Sequence, residues 1–223
     1  MARAYSEYFR STVGRKTLMG LTGLGLCLFV LIHMLENLLI FLGPSQFNHY
    51  SYLLTSNPLI PLAEIGLVVF FVAHVIIALW VTVRNRMARS GSYAVKPPSE
   101  RDATFASKTL MYSGLVILAF LVLHLITFKY GAQYPVTYSG VEMRDLYRLV
   151  IEVFAQPFYV AWYVFAMILL ALHLSHSLSA SMQTLGWMGS NEKRLRRISV
   201  GFGLFVCAGF IAEALSVSLL GVH

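Results

Sequence analysis

The chain has 223 residues, 57% of them hydrophobic and only 12% charged, with a mean hydropathy of +0.69. That composition excludes an ordinary soluble domain and points to a polytopic membrane protein. The net charge of +7 is explained by membrane topology, so it gives no reason to invoke a nucleic-acid partner.

Five apolar windows, at residues 17–42, 59–83, 108–128, 156–180 and 197–221, each supply about 20 residues or more, enough to cross a bilayer. Their apolar runs are continuous rather than alternating, which predicts helices and not a β-barrel. The expectation is one all-α domain over residues 1–223, with five transmembrane helices. The first four would form a four-helix core and the fifth a packing helix beside it.

In chain order, residues 4–13 read as a short cytoplasmic segment. The first apolar run is too long for a secretory signal, and no small-residue cleavage site follows it. This first span carries Cys27 and His33, with Glu36 and Asn37 one turn beyond the histidine. The connection 43–58 is polar and aromatic (Ser45, Gln46, Asn48, His49, Tyr50, Tyr52) and is predicted to face outward. The second span carries Glu64, Gly66 and His74, and residues 88–102 form a Ser/Gly/Pro-bearing cytoplasmic loop. The third span carries His124. Residues 130–152 make the longest outer segment, with a short amphipathic piece near 143–151. The fourth span carries His173 and His176, and Gly186, Gly189 and Asn191 break the chain after it. The fifth span has no histidine but holds Cys207 and Glu213. Both cysteines fall mid-span, where a buried inert thiol is expected. No internal repeat stands out.

Charge placement sets the orientation. Arg3, Arg10, Arg15 and Lys16 precede the first span, Arg84, Arg86, Arg89, Lys96, Arg101 and Lys108 lie in the second connection, and Lys193, Arg194, Arg196 and Arg197 lie in the fourth. Only Lys129, Arg144 and Arg148 lie on the other side. The excess of Lys and Arg places the N-terminus in the cytoplasm and His223 outside.

The histidines carry the chemistry. His33, His74, His124 and His173 stand one apiece on the first four spans, and each is sixteen residues beyond the start of its span, counted from residues 17, 58, 108 and 157. At 1.5 Å per residue that is a depth of about 24 Å. The spans alternate in direction, so His33 and His124 share the outer half and His74 and His173 the inner half. Neutral imidazole ligates haem iron well, and intramembrane ionisable groups mark functional sites. A single membrane histidine is readily explained as a hydrogen-bonded core residue, but four at matched depths suit two bis-histidine haems. Absence of Cys-x-x-Cys-His means that such haems would be held non-covalently. Gly20, Gly23, Gly25 and Gly66 would give a porphyrin room between helices. A proton-relay transporter would combine histidine with facing carboxylates; Glu36, Glu64 and Glu213 lie near the outer ends and make no continuous relay.

His176, one turn beyond His173, competes for the inner site. With His173 chosen for its depth, His176 joins Arg15, Lys16 and Ser11 as candidate contacts for haem propionates.

The residues Gly14, Arg15 and Lys16, with Met19, Thr22 and Gly23, then His33 to Asn37, His74, His124, and the run from Leu172 to His176 ending in Gln183 to Gly186, carry a resemblance. The chain resembles the di-haem cytochrome b membrane anchor of succinate:quinone oxidoreductases, in the five-helix, single-subunit class of succinate dehydrogenases and fumarate reductases. The resemblance implies two b haems, proximal on His74 and His173 and distal on His33 and His124, and a quinone site near the distal haem, with menaquinone the expected quinone. Quinone chemistry moves protons as well as electrons, so that site needs a polar residue at the outer edge, with Glu64 the first candidate, followed by Glu36, Asn37 and His49. It further implies that the cytoplasmic face binds an iron–sulfur subunit bearing a FAD flavoprotein, in an inner membrane, and that this chain does no chemistry on the dicarboxylate. One position departs from part of the family. A glutamate two residues before the fourth-span ligand supports a transmembrane proton path in some members, whereas Ala171 stands there in this chain. Two other readings are a haem-free structural anchor for soluble subunits and a small histidine-bearing transporter. The direction of turnover and the oligomeric state of the complex are left open.

Overall fold

The computed structural model describes residues 7–8, 11–87, 105–187 and 191–220. Arg3, Arg10, the whole 88–102 loop with Arg89, Lys96 and Arg101, Gly189 and His223 lie outside the described residues, as does the side chain of Lys108.

The chain is an all-α, multi-pass membrane protein. Its spans are α1 (Thr12–Asn37), α3 (Ile60–Met87), α4 (Phe105–His124), α6 (Pro157–Thr184) and α7 (Glu192–Leu220). Local chemistry fixes several ends. Ser11 caps α1, its Oγ accepting from the Gly14 N–H at 3.1 Å and donating to the Tyr8 carbonyl at 2.6 Å. Pro157 opens α6 at a position where its missing N–H costs nothing.

The outer connections are more structured than the sequence suggests. Residues 43–58, read from sequence as a polar and aromatic connection, contain a second helix, α2 (Pro44–Thr55), started by Pro44 after Gly43 at φ 99°. A two-stranded antiparallel hairpin, β1 (Pro135–Tyr138) and β2 (Val141–Arg144), turns through Ser139 and Gly140, both with positive φ. The amphipathic piece expected near 143–151 forms as α5 (Leu146–Phe154), slightly later in the chain because the hairpin takes up its start. Asp145 caps α5 by accepting from the Arg148 N–H at 3.0 Å. Asn48 of α2 is fully buried and locks this outer cap. Its amide donates to Asp145 at 2.8 Å, and its carbonyl oxygen accepts from the Tyr147 N–H at 2.8 Å.

Within the membrane, α3 packs on α1, α4 on α6, and α1 on α6, whereas α3 and α4 scarcely meet. The fifth span, α7, packs along α6 and reaches α1. At the α6–α7 crossing a Cβ on Gly203 would fall 2.7 Å from the Ala171 carbonyl oxygen, so only glycine admits so close an approach. The buried cluster lies along this seam and under the outer cap, from Cys27 and Met34 through Tyr163, Met167 and Val206 to Phe154. Both cysteines are free and buried. The side between α3 and α4 is left open.

Candidate haem-binding bundle

The outer pair comes together across the bundle. The rings of His33 (α1) and His124 (α4) lie 5.9 Å apart, centroid to centroid, with their planes at 88°. Phe29 stacks on His33 at 5.3 Å, Phe210 of α7 lies 5.9 Å from it, and Phe120 and Phe128 flank His124 at 5.7 and 5.1 Å. The helix after His124 widens into a π-helical turn, Leu125–Lys129, a feature frequent at functional sites. This turn brings Lys129 to Glu64 of α3, and the two form an ion pair across the outer end of the open side.

At the inner level stand His74 on α3 and His173 on α6. Each is oriented by the neighbouring helix. Thr22 Oγ1 lies 3.3 Å from Nδ1 of His74, and Ser113 Oγ lies 3.2 Å from Nδ1 of His173. The Thr22 hydroxyl gives its proton to the carbonyls of Leu18 and Met19, at 2.9 and 3.1 Å, and the Ser113 hydroxyl gives its proton to Leu110 at 3.1 Å. A hydroxyl whose proton is held by a backbone carbonyl can only accept, which favours the Nδ1–H tautomer in both rings. Nε2 keeps its lone pair for a metal.

These contacts expose a repeat. Thr22, Gly23, Phe29 and His33 on α1 recur at the same spacing as Ser113, Gly114, Phe120 and His124 on α4. Steps of seven and eleven residues are close to two and three helical turns, so each set forms one stripe. Its lower end holds the inner histidine of the next span and its upper end carries an outer histidine, about 16 Å higher at 1.5 Å per residue. α1 and α4 thus carry the same stripe, and each sets its hydroxyl against the histidine of the span that follows. The two stripes run in the same direction. The pattern is present in the sequence, but four matched positions in twelve are hard to see in a run of Leu, Val and Ile. Sequence reasoning does not reveal the roles of Thr22 and Ser113 at all.

His33 and His124 would hold an iron porphyrin at the outer level, and His74 and His173 would hold one at the inner level. Imidazole nitrogens about 2 Å from a shared metal put ring centroids roughly 6 Å apart, as found for His33 and His124. A Cβ on Gly23 would lie 3.4 Å from Cε1 of His74, and one on Gly114 would lie 3.5 Å from Cε1 of His173. Larger residues there would push into the inner rings. Nδ1 of His124 is buried with no hydrogen-bond partner among the described residues, and such an atom calls for a ligand or a rotation.

The remaining sequence candidates are scattered. Ser11 is occupied as the cap of α1. The Arg15 guanidinium lies 3.7 Å over the Trp80 ring, Arg84 is 5.5 Å from the same ring, and Lys16 is exposed. His176 faces the charge of Arg196 on α7. At the outer end Glu36 accepts from the Tyr50 hydroxyl at 2.6 Å, Asn37 donates to the His33 carbonyl at 2.7 Å, and His49 is exposed. Gly25 packs on Phe70, Gly20 on Ser181 of α6, and Gly66 has open space beside it.

Fold and site together define a five-span helical membrane protein in which His33 and His124 come together, with His74 and His173 on the neighbouring spans. No family model, curated protein or solved structure matches the chain.

Proposed function

We propose that the chain is the cytochrome b membrane anchor of a succinate dehydrogenase or fumarate reductase complex. In this reading it carries electrons between a membrane quinone, menaquinone by resemblance, and cytoplasmic iron–sulfur and FAD subunits. One observation supports it above the others: the repeated stripe of hydroxyl, glycine, phenylalanine and histidine carries an outer imidazole on each of α1 and α4 and sets a hydroxyl against each inner one. Bound there, two b haems would supply reversible one-electron chemistry.

The protein's own residues do the rest. His33 and His124 would hold the outer group, and His74 and His173 the inner one. Thr22 and Ser113 would hold the inner imidazoles by Nδ1, leaving Nε2 to ligate the haem iron. Gly23 and Gly114 keep those rings unobstructed, and the apolar walls exclude water. Glu64, Glu36, Asn37 and His49 are the candidates at the outer edge for the proton of a quinol. His176, Arg15 and Lys16 are candidates for propionates, and the basic cytoplasmic connections are candidates for the soluble subunits. Orientation with the N-terminus in the cytoplasm of an inner membrane follows the Lys and Arg bias.

Reduced-minus-oxidised optical spectra of the purified protein, with haem extracted and counted, test the reading. Two b haems per chain are expected. A haem-free tether gives no such spectrum, and a transporter would bind a solute without one.

A further inference from the structure

Trp80 stands near the inner end of α3, six residues beyond His74 and three before the apolar run of that span closes at residue 83. Two arginines gather on its ring. The Arg15 guanidinium of α1 lies 3.7 Å over the ring centroid, and that of Arg84, one turn further along α3, lies 5.5 Å from it. Arg15 is half-buried and Arg84 is exposed. Stacking occupies a face of the Arg15 guanidinium and leaves its planar fork of N–H donors free at the edge. Among the described residues, neither arginine has an ion pair or a hydrogen bond to a neighbour. Like charges held on one ring repel each other, and an anion between them relieves the repulsion.

The surroundings select the anion. Ile76, Val72 and Val69 stand four, eight and eleven residues before Trp80, along its side of α3 toward the middle of the membrane, and are 60%, 47% and 58% exposed. Helix α3 packs chiefly on α1, and among the described residues nothing covers this stripe. Eleven residues at 1.5 Å each span about 16 Å, close to half of a hydrocarbon core of about 30 Å, which is the reach of one acyl chain. Aromatic and basic residues together at the end of a span mark the headgroup level, where a lipid presents its phosphate. A free phosphate makes no use of the apolar stripe.

We propose that Arg15 and Arg84, gathered on Trp80, bind the phosphate of an anionic phospholipid whose acyl chain lies along Ile76, Val72 and Val69. The phosphate oxygens accept from the two guanidinium forks, and the negative charge sits between the two positive ones. The site is independent of the haem reading; only its assignment to the cytoplasmic leaflet rests on the orientation proposed above.

The test is native mass spectrometry of the intact, purified protein in an uncharged detergent, titrated with phosphatidylglycerol, phosphatidylcholine or inorganic phosphate. The wild type should bind one phosphatidylglycerol saturably, with phosphatidylcholine weaker and inorganic phosphate a poor competitor. Losing one partner of a charged hydrogen bond weakens binding by a factor of about 10 or more, and Arg15→Gln and Arg84→Gln should each do so. Trp80→Ala, which frees Arg15, should weaken it as well, and Arg15→Lys, which keeps the charge but not the fork, should fall between. Arg86→Gln removes an equal charge two residues on from Arg84, on the opposite side of α3, and should leave the affinity unchanged. Circular dichroism reports whether each variant has folded; if Arg15→Gln fails to fold, Arg84→Gln against Arg86→Gln decides the matter. Equal losses in Arg84→Gln and Arg86→Gln reduce the effect to diffuse surface charge and overturn the proposal. Inorganic phosphate competing as well as the lipid overturns it too. So does full lipid affinity in both Arg15→Gln and Arg84→Gln, and a Soret shift in those variants would then assign the pair to haem propionates.

Discussion

Ser113 holds Nδ1 of His173 across the α4–α6 contact at 3.2 Å, and Thr22 stands in the same relation to His74 across α1–α3. Two helices far apart in sequence thus use the same device, a hydroxyl bonded to a carbonyl one turn back, to fix an imidazole on the following span. The device matters because a ring whose Nδ1 is committed presents a defined Nε2 to a metal.

Removing that hydroxyl should loosen the inner site without destroying it. Thr22→Val and Ser113→Ala are each expected to weaken inner haem retention by about 10- to 100-fold, the usual cost of losing an outer-shell partner. The inner midpoint potential should shift while the outer one stays. Haem loss on dilution, followed by optical spectra at two potentials, checks this, and equal loss from both levels would contradict it.

The glycines beside those hydroxyls make a sharper demand. Gly114→Leu places branched carbon where a Cβ alone already lies 3.5 Å from the His173 ring, and Gly23→Leu does the same at 3.4 Å from His74. Both variants should lose the inner haem and keep the outer, giving half the wild-type haem per protein. Gly66→Leu, with nothing within 4 Å of its Cβ position, should keep both.

The outer cap is a separate matter of stability. Asn48→Ala removes a buried amide and leaves the Tyr147 N–H and the Asp145 carboxylate short of a partner. A cost of about 1–3 kcal/mol is expected from leaving such groups unsatisfied. It should appear as a lower thermal midpoint and faster proteolysis in the 130–156 segment, with haem spectra unchanged.

Tyr50 offers a pH test of the same cap. Burial, and then its hydrogen bond to Glu36, push the phenol up to about 12 from an ordinary value of 10.0. Because the folded value lies above the unfolded one, this contribution to stability is complete below pH 10 and is lost as pH rises toward 12. Tyrosinate absorbance of the wild type against Tyr50→Phe should show one residue ionising late. Tyr50→Phe should also remove the part of the alkaline destabilisation that lies in that window.

Much of this arrangement is legible in the sequence. Five spans follow from uninterrupted apolar runs, and counting residues along them sets His33 level with His124, where the two rings indeed meet. The outer elements are less legible. Helix α2 is rich in polar and aromatic residues, so residues 43–58 read only as an outward connection, and the hairpin rests on a Ser139–Gly140 turn signal only two residues long. Thr22 and Ser113 are illegible as site residues for a different reason. A hydroxyl in a membrane helix ordinarily bonds its own backbone, as both do here. Only the packing of α1 on α3 and of α4 on α6 shows that each hydroxyl also reaches a histidine.

The most direct measurement is the haem content and low-temperature optical spectrum of four single variants, His33→Ala, His74→Ala, His124→Ala and His173→Ala, in the purified complex. The account predicts two spectral components in the wild type. The His33 and His124 variants should lose the same one, and the His74 and His173 variants the other. Both components persisting in any one of the four, or no haem in the wild type, would contradict it.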